Sequence, residues 1–383
     1  MKGVFYINDL HELYCLKDKN TEIIICPEKL SRFGKLSNIE AREAIEYCWK
    51  NKILAFLEWD ILMSQNEFEQ VMDTFHYLPL EKISAVRVQD IGGYNYLLES
   101  TNLDIHLILE SGNHNLVGIK KWENIANGRL KRIILGIELP KETIKKYIQV
   151  LKTPCELQVL GKILLFYSPR SLMKKPLEIS SDYFSARASS EETPHKGFSM
   201  VENTHGTFMF LPKDQFLLDV YPELQDTGLQ YVRLDHRFLE GDIKLDDIID
   251  LFKSNSTNRW SDFKKSYAGK FIRGYFNVNR SDAIFPKLKN SRNIKKNENY
   301  IGKVVDVKKD HYLALSIFKN NKRTLSIGDE IEISSPDGRV KKVQLKSMRN
   351  TGLHPINTVN GENIVLIPHV GGISVKSQVN FIS

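Results

Sequence analysis

Residues 22–59, EIIICPEKLSRFGKLSNIEAREAIEYCWKNKILAFLEW, carry two strand patterns with a helix between them. Glu22 to Cys26 is a nearly continuous apolar run, the composition of a strand buried on both faces. Ser37 followed three residues later by Glu40 is a capping box, which satisfies the first free amides of a helix. Behind it Ala41, Ala44, Ile45, Cys48 and Trp49 recur at i, i+3, i+4, i+7 and i+8, one apolar helix face. Ile53 to Trp59 is apolar again. A strand, a crossover helix and a second strand form a βαβ unit, which sets its two strands parallel.

The same rhythm runs on through the chain. Helical patterns cover Asn66 to Phe75, Leu116 to Ala126, and a stretch from Pro140 that turns Ile144, Tyr147, Ile148 and Leu151 inward. Strand patterns cover Ile83 to Val88, Ile105 to Leu109, Arg132 to Ile137 and Glu156 to Leu160. Alternation at about 25 residues per unit predicts an α/β fold, a (β/α) TIM-like barrel. Between Tyr167 and Thr207 the rhythm stops in a Ser-, Pro- and charge-rich segment, read as a long loop or insertion across the barrel, either a functional lid or a poorly ordered stretch. It resumes with an apolar run from Thr207 to Leu211 and a Pro212 suited to a helix's first turn. Phe216, Leu217, Val220 and Leu224 follow at near-helical spacing, and Gly228 ends them. The strand Leu229 to Leu234 ends in Asp235-His236-Arg237, and a last helix spans Leu245 to Phe252.

Residues 1–284 thus form the barrel domain with its insertion at 167–206, and the Asn/Lys-rich residues 285–300 a linker. From Ile301 to the end the period shortens to two between Gly, Pro and Asp turns, six or seven short strands of a small antiparallel β-barrel.

The chain has 383 residues, 42% hydrophobic and 26% charged, ordinary for a globular protein. No run approaches the ~20 apolar residues of a membrane helix and the first twenty residues lack a signal-peptide core, so a cytoplasmic protein is expected. Net charge is +7, unevenly placed: Phe285 to Arg349 holds 16 Lys/Arg against 7 Asp/Glu, whereas the first 284 residues sum to −2. Lys287, Lys289, Arg292, Lys295, Lys296, Lys341 and Lys342 belong to this basic part. They suit a polyanion such as RNA, or equally a solvated surface that aids solubility.

The four cysteines, Cys15, Cys26, Cys48 and Cys155, show no metal-ligand spacing. Cys48 on a helix's apolar stripe and Cys26 at a strand end read as buried reduced thiols; a cluster built from all four needs them to converge in space. GxGxxG, Walker, HExxH and GxSxG patterns are absent, so dinucleotide, nucleoside-triphosphate, zinc-protease and serine-hydrolase chemistry have no motif here. What remains are polar residues just past strand ends: Gln89-Asp90, Glu138, and Asp235 with Arg237. Each alone reads as a loop ion pair. Gathered at one barrel mouth they suit an anionic, carboxylated small molecule or acid–base work.

These residues also carry a resemblance. Gln89-Asp90-Ile91-Gly92, Arg132-Ile133-Ile134-Leu135-Gly136-Ile137-Glu138-Leu139, Val159-Leu160-Gly161, His205-Gly206-Thr207-Phe208 with Lys213-Asp214, and Arg233-Leu234-Asp235-His236-Arg237 resemble, in order and spacing, the elements of the collagenase-like peptidase family U32. Arg273-Gly274-Tyr275 resembles the family's Arg-Gly-aromatic element, which adds Arg273 to the pocket candidates Gln89, Asp90, Glu138, Asp235 and Arg237. Ile327 to Glu332 and Pro336-Asp337-Gly338 are similar to the C-terminal domain of longer members.

The resemblance implies cysteines that hold an iron–sulfur cluster, but at the matching positions stand Leu164 and Ser171, and no Cys follows Cys155. No cofactor or metal is therefore expected. Longer members are associated with hydroxylation of tRNA or rRNA bases, and the older label is peptidase. For this chain the resemblance implies a divergent member that binds RNA, or assists a complete U32 paralogue, without running the redox step itself. The alternatives are a collagenase-like peptidase, for which no nucleophile with a base partner is visible, and a non-catalytic adaptor.

Overall fold

The structure, a computed structural model, describes residues 1–18, 20–110, 115–173, 182–189, 196–277, 299–318, 324–335 and 340–382. The chain divides into two compact units, Met1–Val278 and Asn279–Ser383.

In the first unit the alternation becomes a closed barrel. Its strands in chain order are β1 (Lys2–Tyr6), β2 (Glu22–Ile25), β3 (Leu54–Trp59), β4 (Ala85–Val88), β5 (Ile105–Ile108), β6 (Leu130–Ile134) and β7 (Cys155–Gly161). The circle is closed much later by Tyr231–Leu234, which pairs in parallel with β1 on one side and β7 on the other. Every step between neighbours around the ring is parallel. The crossovers are helical: α1 (Leu10–Tyr14), α2 (Asn38–Lys50), α3 (Gln65–Tyr77), α4 (Ile91–Ser100), α5 (Leu116–Ile125) and α6 (Lys141–Ile148). Ser37 and Glu40 make the capping box reciprocally, and Ser64 with Glu67 makes a second one on α3. Helices and outward strand faces share one large core, and Val4, Ile24, Phe56 and Ala85 fill part of the barrel interior with Tyr6 and Cys26.

The seventh crossover departs from the expected loop. Residues 167–206 are not structureless where the chain is described: β8 (Leu164–Ser168), β9 (Phe184–Ser189), β10 (Lys196–Asn203) and β11 (Gly206–Phe210) form an antiparallel sheet in the order β8-β11-β10-β9. The apolar run Thr207 to Leu211 is therefore a hairpin strand of this sheet and not a barrel strand. A two-residue turn at Thr204-His205 joins Asn203 to its partner Gly206, and that geometry cannot feed a parallel crossover. The run at Phe216 to Leu224 splits likewise into β12 (Asp214–Phe216), a 3₁₀ turn at Leu218–Val220 and α7 (Tyr221–Asp226). After the eighth barrel strand, β13 (Tyr231–Leu234), come α8 (Leu245–Lys253), α9 (Thr257–Ser266) and β14 (Phe271–Ile272), which pairs with β12.

The second unit is antiparallel. Its strands are β15 (Tyr300–Lys308), β16 (Tyr312–Ile317), β17 (Leu325–Ser326), β18 (Glu330–Ser334), β19 (Val340–Gln344), β20 (Met348–Arg349), β21 (Pro355–Ile356), β22 (Thr358–Val359), β23 (Asn363–Pro368) and β24 (Gln378–Phe381). Eight of them form a half-barrel sheet, β19-β18-β24-β15-β16-β23-β20-β21, and β17 pairs with β22. Ile301, Val304, Leu313, Leu315, Ile331, Ile333, Val365 and Val379 lie in its apolar core, as the period-two pattern requires. The expected linker, apart from Asn299 and Tyr300, and the Pro336-Asp337-Gly338 turn lie outside the described residues. Among the described residues no helix is long and apolar enough to cross a membrane.

Candidate ligand cavity at the barrel mouth

The barrel strands are apolar apart from single charges set among branched residues, and those charges meet inside. Glu58, Arg87, His106 and Arg132 are Cα partners on β3, β4, β5 and β6 and so lie on one level of the barrel. A charge buried this deep must be paired. Arg87, fully buried, donates through Nη1 and Nη2 to Glu156 at 3.0 and 2.7 Å and through Nε to Glu58 at 3.1 Å. Arg132 donates to Glu156 at 3.1 Å and to Glu22 at 2.8 Å. Burial pushes Glu156 up, but Arg87, Arg132 and Arg233 overcome it and hold this carboxyl well below the usual range. His106 is driven well below its ordinary value by burial and by Arg132 and Arg87, so its ring is neutral.

Nearer the mouth a second tier appears. Glu110, just past β5, bridges Arg32 at 2.8 Å and Arg233 at 2.7 Å. Burial is again outweighed, by Arg233 and Arg32, and Glu110 comes down to about 2. Arg32 also donates its backbone N–H and Nε to Asp60, at 2.7 and 2.8 Å. Arg237 donates Nε and Nη2 to Asp235, at 2.9 and 2.8 Å, and its guanidinium lies 3.5 Å from the centre of the Tyr6 ring. The Tyr6 phenol donates to Glu58 at 2.9 Å.

These groups floor a cavity of about 340 Å³. Its other wall is aromatic and comes from the inserted sheet and two loops: Phe166, Tyr167, Phe210, Phe33 and Phe238. Phe33 packs at 4.6 Å on Phe208, 5.7 Å on Phe210 and 5.0 Å on Phe238, and Tyr167 stacks on Phe208 at 4.7 Å with planes 4° apart. One face of the cavity is thus apolar and aromatic, the other ionic. The volume falls at the lower end of the roughly 300–1,000 Å³ of small-molecule sites. Lys162 also lines it, 2.9 Å from the buried Asp214.

Of the residues singled out from sequence, Glu138, Asp235 and Arg237 line this cavity. The others do not. Gln89 is buried at the end of β4, and Asp90 caps α4, accepting from Gly93 N at 3.0 Å. Arg273 is exposed, 3.5 Å from Asp219. Among the basic candidates, Lys341 donates to the Gly371 carbonyl, and exposed Lys342 sits opposite Glu332 on β18. Lys287, Lys289, Arg292, Lys295 and Lys296 lie outside the described residues. Tyr6, Arg32, Glu58, Asp60, Glu110, Gln158, Lys162 and Arg233 line the cavity without having been singled out. A lone charge inside an apolar parallel strand, as in Leu57-Glu58-Trp59, was the available signal.

Residues 30–274 match the model of peptidase family U32, most of the first unit and well over half of the chain. The chain belongs to peptidase family U32. The solved structure of the U32 peptidase Mk0906 is similar over 61% of this chain and 92% of its own, at 9% identity and a TM-score of 0.39. The C-terminal domain of a Geobacillus thermoleovorans protein described as a U32 peptidase covers 25% of this chain and 99% of its own, at 12% identity and a TM-score of 0.20. No curated protein matches the chain.

The residues present in this U32 member do not fit an iron–sulfur cluster. Leu164 contributes an apolar side chain to the cavity wall, and the Ser171 hydroxyl donates to Glu202, whose carboxylate also accepts from the amides of Leu172 and Met173 at 2.9 and 2.8 Å. Cys15 is exposed at the C-cap of α1, and Cys26 just past β2, Cys48 in α2 and Cys155 in β7 are buried in separate places. Burial pushes the Cys155 thiol up to about 12 and Cys26 well above its ordinary value, the reverse of what a thiolate ligand needs. Among the described residues no group of three or more His, Cys, Asp or Glu side chains is placed to hold a metal ion.

Proposed function

We propose that this U32 protein binds RNA, tRNA or rRNA, and takes one unstacked base into the mouth cavity, serving base modification as a binding member alongside a cluster-bearing paralogue in the cytoplasm. The observation that carries this reading is the two-faced cavity. A flipped base is held by stacking on aromatic rings while its edge is read by hydrogen bonds. Phe210, Phe166 and Phe238 supply the first and the Arg, Asp and Glu floor the second. The same floor suits the ring and carboxylate of a carboxylated small molecule, which remains the competing occupant. The basic residues of the C-terminal part add phosphate contacts that give affinity without sequence readout. A hydrolytic role, which the family's name carries, has less support: the described lining of the cavity holds no Ser, Thr, Cys or His side chain.

The test is equilibrium binding of bulk tRNA and rRNA fragments at several salt concentrations, with Phe210→Ala beside the parent protein. Binding that falls steeply with salt, and about 10-fold weaker in F210A through loss of one stacking contact, is the expected outcome. Binding insensitive to salt, or identical in the variant, sinks the reading.

A further inference from the structure

We propose that Glu58 is the acid–base group of the mouth cavity, exchanging a proton with a planar, hydrogen-bonding heteroaromatic ligand bound against the aromatic wall. This rests on the cavity reading above and adds the chemistry of one residue to it.

Among the described residues, the connected network at the mouth holds five arginines, Arg32, Arg87, Arg132, Arg233 and Arg237, against six carboxyls, Glu22, Glu58, Asp60, Glu110, Glu156 and Asp235. One carboxyl is left without a matching charge. Glu110 and Glu156 each bridge two arginines, while Asp60 and Asp235 each take two guanidinium hydrogen bonds or one with a backbone amide beside it. Glu22 takes a short 2.8 Å bond from Arg132. Beside the neutral Tyr6 phenol, Glu58 receives a single guanidinium hydrogen bond, from the Nε of Arg87 at 3.1 Å, and that arginine spends both terminal nitrogens on Glu156. The odd proton therefore belongs on Glu58.

Its surroundings agree from every side. Asp60 follows two residues along the same strand end, so two carboxyls face one space. Tyr6 from β1 donates its phenol to Glu58, Cys26 follows β2, Arg87 reaches in from β4, and Arg233 and Arg237 come from β13 and its loop. The balance, burial first and Asp60 second against Arg87, Arg237 and Arg233, raises Glu58 to about 7. The carboxyl lines the cavity and so meets whatever enters it. In the step, Glu58 as the neutral acid gives its proton to a ring nitrogen or carbonyl oxygen of the ligand. The carboxylate left behind keeps the Tyr6 phenol and Arg87 as donors, and solvent returns the proton once the ligand leaves.

A carboxyl that merely anchors Arg87 titrates well below neutrality, so the two roles separate. The full chain labelled with ¹³C at the glutamate side-chain carboxyls is titrated from pH 5 to 9, beside Glu58→Gln, which keeps the shape and an acceptor, and Tyr6→Phe, which removes the phenol donor. One resonance with a midpoint near 7, missing in E58Q and shifted upward in Y6F, is expected. Uridine and cytidine then serve as probes by calorimetry: affinity in the parent protein changes by up to about 10-fold per pH unit across that midpoint and is flat in E58Q. No glutamate titrating above pH 6 that E58Q removes, or nucleoside binding that is absent or independent of pH in the parent, overturns the proposal. Failure of RNA binding with the titration and nucleoside results intact would sink the function reading alone.

Discussion

Arg87 shows what a single residue must do in this barrel. It is completely buried and its three donating nitrogens all end on carboxylate oxygens, two of Glu156 and one of Glu58. Replacing it with methionine keeps much of the volume but strands those acids, and removing one partner of a buried ion network costs about 3–5 kcal/mol. Urea unfolding of Arg87→Met should show a loss of that size; a loss under about 1 kcal/mol would mean that Arg132 and Arg233 carry the network without it. Residues of this kind were also the hardest to read in advance. Asp235, Arg237 and Glu138 were legible because they stand just past strand ends, where an α/β barrel opens. Glu58, Arg87, Arg132, Glu156 and Arg233 sit within the strands, and an apolar run interrupted once still reads as an ordinary strand. Only the closing of the ring, which brings β4 and β7 across from each other, turns scattered charges into one network.

At the scale of elements, the inserted sheet is what makes an open barrel mouth into a cavity, and Gly206 is its pivot. With φ at +122°, and an added Cβ falling 2.0 Å from the Ser168 carbonyl oxygen and 2.7 Å from Pro169 Cα, the position admits glycine alone. Gly206→Ala should cost about 1–3 kcal/mol from backbone strain before the clash is added. The damage is expected to stay local: amides of β10 and β11 exchange faster while those of β1 to β6 keep their protection, by hydrogen exchange. Uniform loss of protection would show that the sheet and barrel unfold together. The same sheet marks where reading elements from periodicity failed. βαβ units announce themselves by alternating periods near 2 and 3.6, and α2 keeps its Ser37 cap and buries Ala41, Ala44, Ile45 and Cys48 as expected, whereas Trp49, expected on the same face, is exposed. β9 and β10 mix polar with apolar residues and carry a weak hydrophobic signal, while β8 and β11 are apolar but pair antiparallel, a partner choice that periodicity does not reveal. The first strand, β1, was also not picked out, its Gly3 and Lys2 leaving only Val4, Phe5 and Tyr6 as an apolar run.

For the whole molecule, the buried acids make opposite demands on pH. Glu110 at about 2, with Glu156 and Asp235 also lowered, lies below the ~4.3 of a glutamate in the unfolded chain. A depressed group contributes stability that is complete above the unfolded value and is lost as pH falls from about 4.3 toward 2. Glu58 works the other way. Its folded value of about 7 exceeds the unfolded one, so the unfolded chain releases this proton first, and the fold weakens as pH rises from about 4.3 to 7 and no further. Stability of the first unit should therefore climb steeply from pH 2 to about 4.5 and then flatten to about 6.5, where the proton that Glu58 keeps in the fold is offset by the one that the buried, neutral His106 gives up on folding. All four tryptophans, Trp49, Trp59, Trp122 and Trp260, belong to that unit, so the urea midpoint followed by tryptophan fluorescence reports on it without a contribution from tryptophans in residues 279–383. In Glu58→Gln that offset is gone, so stability should rise between pH 4.5 and 6.5 while the acid limb stays. A stretch between pH 4.5 and 6.5 as flat as in the parent protein would assign the extra proton to another group and dissolve the charge argument for Glu58, whereas loss of the acid limb would mean that the arginine network does not hold its acids ionised.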